Sequence, residues 1–567
     1  LTARVRTSGQ LLSNRFNQAE YPISFNALLF PNADGSYAGF EDINQRREFY
    51  FTNLWQLDYT KSFGKHTINI TGSSEYNHSR LNINNFRQRG LNPLTFVPNT
   101  GSGYIGDTST NDFHVPQISA SQLRNDLISY FGSFDYDYNK KYGVVASIRR
   151  DGSSRFTSKN YNTKKFWSVG ARWNIDEESF MDSLEFVNVL KLRGSIGTVG
   201  NQRIIDGTIF AGINPPAFSD IYSASNNAYN NGQGYNIVFG YPDLRWETTR
   251  QDNIGIDFEL FKSRLRGTIE RYNRKTIDLF ISDPVTPAVG QIGNTITKNS
   301  DTYITNNGYE VNLAYDIIKN SKVTLTLRAN GSYNKNRIGG IKTNNGVILE
   351  GSNPTYITQN GGSLQEPYVY PYVGVNPDNG NLLFEDINGN VTENPTAADR
   401  RASGKTNMPV YQGGFGFDFE YSGFFVSTSF TYAQKVWRYD YDLNNLYDPG
   451  NIGQFTVSSD MLNAWTTPGD ITNVPSLNAA NLAAADNSDR FLRDASYIRL
   501  RNAQIGYKFP KRFLEKSFFT DISLNLQGEN LFNITKWQGL DPESDRNFDV
   551  YQYPTPRMFT LGLDLKF

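Results

Sequence analysis

Cysteine is absent from the 567 residues, which excludes disulfides, thiolate metal sites and a cysteine nucleophile and fits an exposed envelope location. Histidine is nearly absent too. His66, His78 and His114 fall at neither H-x-x-x-H nor H-E-x-x-H spacing, so zinc hydrolysis has no visible ligands. An excess of either charge is missing: 55 Lys+Arg stand against 56 Asp+Glu, which leaves no basic surplus for nucleic acid. No apolar run is long enough for a membrane-spanning helix, and the mean hydropathy is negative. That says nothing against spanning strands, which are half polar. Neither a G-x-S-x-G elbow nor a G-x-x-x-x-G-K-[ST] phosphate loop occurs. Leu1–Gln10 carries no positive-then-apolar export signal, so an exported protein would begin upstream of this chain.

Aromatic residues are abundant, with 34 Tyr and 39 Phe, as two interfacial girdles of a membrane barrel would require. Alternation is the dominant pattern. At the C-terminus Phe559, Leu561, Leu563, Leu565 and Phe567 alternate with Thr560, Gly562, Asp564 and Lys566, one face for lipid and one for water. The same period recurs along the chain. Trp55, Leu57 and Tyr59 share a face, as do Ile128, Tyr130, Phe134 and Tyr136, and Ile254, Ile256 and Phe258. Tight turns join many pairs: Lys61–Gly64, Asn139–Lys141, Lys262–Ser263 and Ser422–Gly423. Between pairs lie long polar segments, the longest at about 80–124, 200–245, 338–407 and 433–494. Short turns alternating with long loops are the order of a transmembrane barrel, with turns in the periplasm and loops outside. A soluble sandwich has no reason for that alternation. The expectation is an all-β, antiparallel transmembrane β-barrel wall over residues 1–567, with about sixteen strands counting one in residues 1–10.

Several stretches carry a family resemblance. They are LISYFGSFDYDYNKKYGVVASIRRDGSSRF (Leu127–Phe156), LKLRGSIGTVGNQ (Leu190–Gln202) and LRWETTRQDNIGIDFELFKSRLRGTIERYNRKTIDLF (Leu244–Phe280). FLRDASYIRLRNAQIGYKFP (Phe491–Pro510), GENLFNITKWQGLDPE (Gly528–Glu543) and YPTPRMFTLGLDLKF (Tyr553–Phe567) complete the set, in order. Together they resemble the SusC/RagA family of TonB-dependent outer-membrane transporters from Bacteroidetes. The resemblance implies a 22-stranded barrel in the bacterial outer membrane, with the plug domain and first strands outside this chain. It also implies import of oligosaccharides or peptides with a SusD-like surface lipoprotein, TonB engagement through the absent N-terminal region, and dimers of transporter–lipoprotein pairs. No cofactor and no covalent chemistry are implied. A passive porin closed by sixteen strands is the alternative, and an outer-membrane enzyme or adhesin a third.

Three motifs need separate treatment. Gly101–Gly106 (GSGYIG) matches the dinucleotide pattern but lacks a preceding strand and a following amphipathic helix, so it reads as surface loop. Asp386, Asn388 and Asn390 occupy positions 1, 3 and 5 of a calcium loop, a candidate site for a structural calcium ion. Val391 stands where that loop wants Gly and Ala397 where it wants Glu, and an Asx-rich turn explains the same residues. Arg149, Arg172, Arg193, Asp257, Glu259, Asp418 and Glu420 alternate inward, where they could line a substrate path or brace the wall as ion pairs.

Overall fold

The computed structural model describes residues 1–29, 39–105, 116–156, 162–203, 220–228, 232–286, 288, 295–342, 346–351, 354–515, 517–543 and 555–567. Sixteen strands form one antiparallel sheet. They are β1 (Thr2–Glu20), β2 (Phe40–Phe63), β3 (His66–Arg89), β4 (Gln117–Tyr138), β5 (Tyr142–Ser153), β6 (Thr163–Asn174), β7 (Val187–Asn201) and β8 (Glu247–Leu260). The second half comprises β9 (Leu265–Ile277), β10 (Tyr303–Lys319), β11 (Val323–Gly339), β12 (Tyr411–Tyr421), β13 (Phe424–Gln434), β14 (Tyr497–Lys508), β15 (Asp521–Thr535) and β16 (Met558–Lys566). Each strand pairs with its neighbours in sequence, and β1 and β16 are the two ends of the order.

One rim carries the short turns. Asn139 and Lys140 have φ of 51° and 60°, as a hairpin turn with two left-handed residues needs. Ser422 and Gly423 make the corresponding turn between β12 and β13; a Cβ on Gly423, at φ 92°, would lie 2.4 Å from the Lys508 carbonyl oxygen. The other rim carries the long connections, at 90–116, 202–246, 340–410 and 435–496. The polar stretch expected to be loop from 80 to 124 is strand at both ends, because β3 runs to Arg89 and β4 starts at Gln117. Similarly the N-terminal strand extends past residue 10 to Glu20, and β2 begins at Phe40. A membrane crossing needs about 9–11 residues, so β1–β4 project well beyond one bilayer face.

The two faces of the wall follow the alternation. Ile256 pairs with Ile269 and Leu192 across both ladders, and the outward apolar side chains are exposed. Phe559 and Leu561, at 70% and 73% exposure, would be mispacked in water and suit hydrocarbon. Aromatic rings mark both edges of this band. Towards the turn rim Phe63 stacks on His66 at 5.1 Å and Phe186 on Phe261 at 5.8 Å. Towards the loop rim Tyr309, Tyr333 and Tyr411 form a ladder with centroids 6.5 and 5.3 Å apart. Inward, charges are matched along and across strands. Arg149 meets Asp151 and Glu75 at 2.6 and 3.4 Å, Arg172 meets Asp137 at 2.5 Å, and Arg328 meets Asp418 at 2.6 Å. Arg193 spans Asp257 and Glu270 at 3.2 and 2.7 Å. Five of the seven inward charges therefore brace the wall; Glu259 lies directly opposite Arg266 and attracts it electrostatically, while Glu420 makes no ion pair with a described residue.

Candidate functional site

Two polar structures stand at the loop rim. The first is a folded crown made by the 340–410 and 435–496 connections. Its apolar centre is Tyr370, Leu382, Phe384, Tyr439, Ala485 and Phe491, drawn from both segments. Backbone bonds lock the segments together: the Tyr370 N–H donates to Asn487 O at 2.7 Å, and the Asp489 N–H donates to Tyr370 O at 3.0 Å. The Asn481 side chain reinforces them, accepting from the Leu382 N–H at 3.0 Å and donating to Leu382 O and Glu393 O at 2.8 and 2.7 Å. Arg490 lies beneath, 7% exposed, with Phe491, Tyr447 and Tyr372 rings 4.9, 5.5 and 5.6 Å from its guanidinium. It also donates to Asn473 O at 3.0 Å. Cation–π contact with three rings is the form of pairing available to a buried arginine without a carboxylate.

Crown electrostatics run in two directions. Burial raises the carboxyls of Glu366 and Asp440 above their ordinary range, partly offset by the N–H groups of Gly404 and Leu443. Conversely, amide donation from Asn381, Asn376 and Asn379 lowers Glu393. Asp470 is held at about 2 by the backbone N–H groups of Thr466 and Thr467.

Asp386, Asn388 and Asn390 sit in a crown turn. The Asp386 Oδ1 accepts from the N–H groups of Asn388 and Asn390, both at 2.8 Å, and Asn390 Nδ2 donates to Oδ2 at 3.3 Å. The turn is thus closed by its own donors, as an Asx turn is. Asp399 also serves the backbone, accepting from the Ile387 N–H at 2.9 Å. Among the described residues no three His, Cys, Asp or Glu side chains gather as a metal-binding group.

The second structure is the projecting part of β1–β4, whose inner face holds a cleft of about 840 Å3. Asn14, Asn44 and Asn85 give it amide donors and acceptors, Phe16 a flat apolar face, and Arg46 and Arg87 guanidinium donors whose charge is matched by Glu48 and Asp42. Arg87 is fixed over the Phe40 ring at 4.4 Å and pairs with Asp42 at 3.3 Å. This mixture can hydrogen-bond hydroxyls or amides and stack against a ring or side chain. Nearby, Gly101–Ile105 forms a turn whose Tyr104 hydroxyl donates to Glu41, while Gly106 and His114 lie outside the described residues. Of these residues the sequence signalled only the Asp386 turn and the Gly101 loop. The cleft lay in stretches where alternation is lost.

Comparison with known proteins places this architecture. The family model described as "TonB dependent receptor-like, beta-barrel" matches residues 3–531. A TonB-dependent receptor of Formosa agariphila is 31% identical over 608 aligned positions, covering 96% of this chain and 55% of that protein. The TonB-dependent receptor SusC of Bacteroides thetaiotaomicron is 28% identical, covering 93% of this chain and 51% of SusC. The chain thus spans about half the length of the curated relatives it matches. Among solved structures, the RagAB peptide importer in its closed-closed state superposes with a TM-score of 0.84 at 23% identity, over 99% of this chain and 60% of that one.

Proposed function

This chain belongs to the TonB-dependent receptor-like β-barrel family of the bacterial outer membrane, and on that premise we propose that it forms the wall and outer mouth of an active importer. The substrate class is oligosaccharide or peptide. A SusD-like lipoprotein would cover the mouth, and TonB would act through an N-terminal region and plug outside these residues. Two such transporter–lipoprotein pairs would assemble as a dimer.

One observation carries this reading over the passive porin. The sheet order starts at β1 and ends at β16 with no ladder joining them among the described residues. A sixteen-stranded porin needs that ladder, because open edges are not tolerated in hydrocarbon. A larger barrel supplies the missing strands from elsewhere in its sequence. The amide-rich, aromatic cleft and the crown support capture of a polar polymer at the mouth, with Asn14, Asn44 and Asn85 as hydrogen-bonding groups and Phe16 as a stacking surface.

The test is native mass spectrometry of the complex extracted in detergent from its own outer membrane. The expected result is a polypeptide far heavier than the 64.2 kDa of these residues, carrying a lipoprotein and retained glycan or peptide. A chain of that mass travelling alone would overturn the importer.

A further inference from the structure

The cleft on the inner face of β1–β4 has a floor laid out by strand register. Phe16, Asn44, Asn85 and Ser119 stand opposite one another on four successive strands. Asn44 Nδ2 donates to Asn85 Oδ1 at 2.5 Å, and Asn85 Nδ2 donates to Ser119 Oγ at 3.1 Å. The row is thus a directional hydrogen-bond chain with an aromatic ring at its head. The inward rows on either side end in Asn14 on β1 and in Gln117 on β4, and neither of these side chains bonds to a described residue. Neighbouring strands lie about 4.8 Å apart and inward side chains about 6.7 Å apart along a strand, so the three rows span roughly 13 by 14 Å. That is wider than one sugar ring or one amino acid and suits a run of several units.

Charge decides between the polymers that could lie there. The charged side chains of the floor are already matched within the protein: Arg87 pairs with Asp42 at 3.3 Å, and Arg46 pairs with Glu48. A sulfated or uronate chain meets no free cation, and the two ends of a peptide meet no free counter-charge. Main-chain groups are occupied as well. The ladders run unbroken from β1 to β4 beneath the cleft, so an extended peptide has no sheet edge to join on that floor. What remains is uncharged and of both hydrogen-bonding kinds. The Asn44 carbonyl accepts, the Ser119 hydroxyl donates, and the Asn14 and Gln117 amides do both. Neighbouring hydroxyls of a sugar, each a donor and an acceptor, match that set. Phe16, 57% exposed, offers its face to the C–H side of a sugar ring.

We propose that the cleft binds an uncharged polyhydroxylated chain, a neutral oligosaccharide, in preference to acidic glycans and to peptides. This rests on the importer described above and narrows its substrate class. The glycan lies across the strands with one ring on Phe16, its hydroxyls engage the Asn44–Asn85–Ser119 row, and Asn14 and Gln117 hold the units to either side.

The experiment offers three probe mixtures to the full-length receptor immobilised with its lipoprotein. Partial hydrolysates of starch, laminarin, mannan and xylan are the neutral glycans, oligo-alginate and oligo-carrageenan the acidic ones, and a tryptic digest of casein supplies peptides. Mass spectrometry of the retained material should find a neutral glycan and neither of the other classes. Raising the salt to about 1 M, where the Debye length is ~3 Å, should leave its affinity unchanged. Asn14→Ala, Gln117→Ala and Phe16→Ala should each weaken binding about tenfold. Asn14 and Gln117 have no partner among the described residues, so these variants should fold as the wild type does, which heat-modifiable gel mobility checks. Retention of acidic glycans or peptides instead, retention of no neutral glycan, or a neutral glycan held equally by all three variants would overturn the proposal. Uptake assays separate this from the importer itself. A peptide bound at the cleft and accumulated only by energised cells would overturn the glycan and leave the importer standing. A neutral glycan bound at the cleft but entering de-energised cells just as fast would overturn the importer and leave the cleft's preference intact.

Discussion

The wall and the crown use the same apolar residue types with opposite exposure. On the wall Phe559 and Leu561 point outward at 70% and 73% exposure; in the crown Phe384 and Leu382 are at 0%. The difference lies in the solvent each meets. In water an apolar side chain gains by leaving the surface, and the crown folds around that gain. In lipid the gain disappears, and the wall is held by its ladders and its inward ion pairs. Exposure by itself is therefore no measure of misfit in this molecule.

Substitutions can separate the two regimes. The largest effect is expected from Phe384→Ala, which should cost the crown about 3–5 kcal/mol by opening its centre. Limited proteolysis should then cut within the two crown connections while the barrel keeps its heat-modifiable mobility. Loss of that mobility would mean that crown and wall fold as one unit. Next, Ile256→Arg places a charge on the lipid face and should cost the barrel about 2–4 kcal/mol, read by urea unfolding in liposomes. An equal cost in the crown would refute the contrast.

A pH series gives a smaller effect. Glu366 and Asp440 have carboxyl pKa values raised by burial, so the native crown holds protons that the unfolded chain releases. Its stability should fall as pH rises from the ordinary carboxylate range through the raised values. Asp470 works oppositely: its contribution is complete above the ordinary range and is lost as pH falls towards about 2. Hydrogen exchange at the Tyr370 amide should follow this dome while the Ile256 amide does not. The smallest effect is at the calcium-like turn. Asp386→Ala should speed exchange at the Asn388 and Asn390 amides several-fold, because those N–H groups lose their acceptor. Chelation of the wild type should leave them unchanged; calcium-dependent protection would instead place an ion at Asp386, Asn388 and Asn390.

Most of the wall was legible because lipid on one face and water on the other enforce period two, as at Ile254, Ile256 and Phe258. The tight turn at Ser422–Gly423 was legible for its backbone requirements. Legibility stopped where the constraint stopped. Between Asn82 and Arg87 β3 has projected beyond the bilayer and no lipid constrains either face, so Asn82, Asn84 and Asn85 follow no alternation although the ladder to β2 continues. Facing direction was readable for Arg193, but its partners Asp257 and Glu270 depend on the register of two neighbouring strands. The crown's centre joins Phe384 to Phe491 across a long separation, and local pattern carries no information about such contacts.

The crown also changes how the wall can be assembled. The connections at 340–410 and 435–496 separate strands that must pair, β11 with β12 and β13 with β14. Left flexible, each would impose the entropic cost of closing a long loop before the first rung forms. Because both are gathered into one centre by Tyr370, Phe384, Tyr439 and Phe491, folding the crown draws four strand ends together at once. The crown is then a kinetic clasp as well as a surface. Phe384→Ala should delay the appearance of the heat-resistant barrel during refolding even where the finished barrel is equally stable.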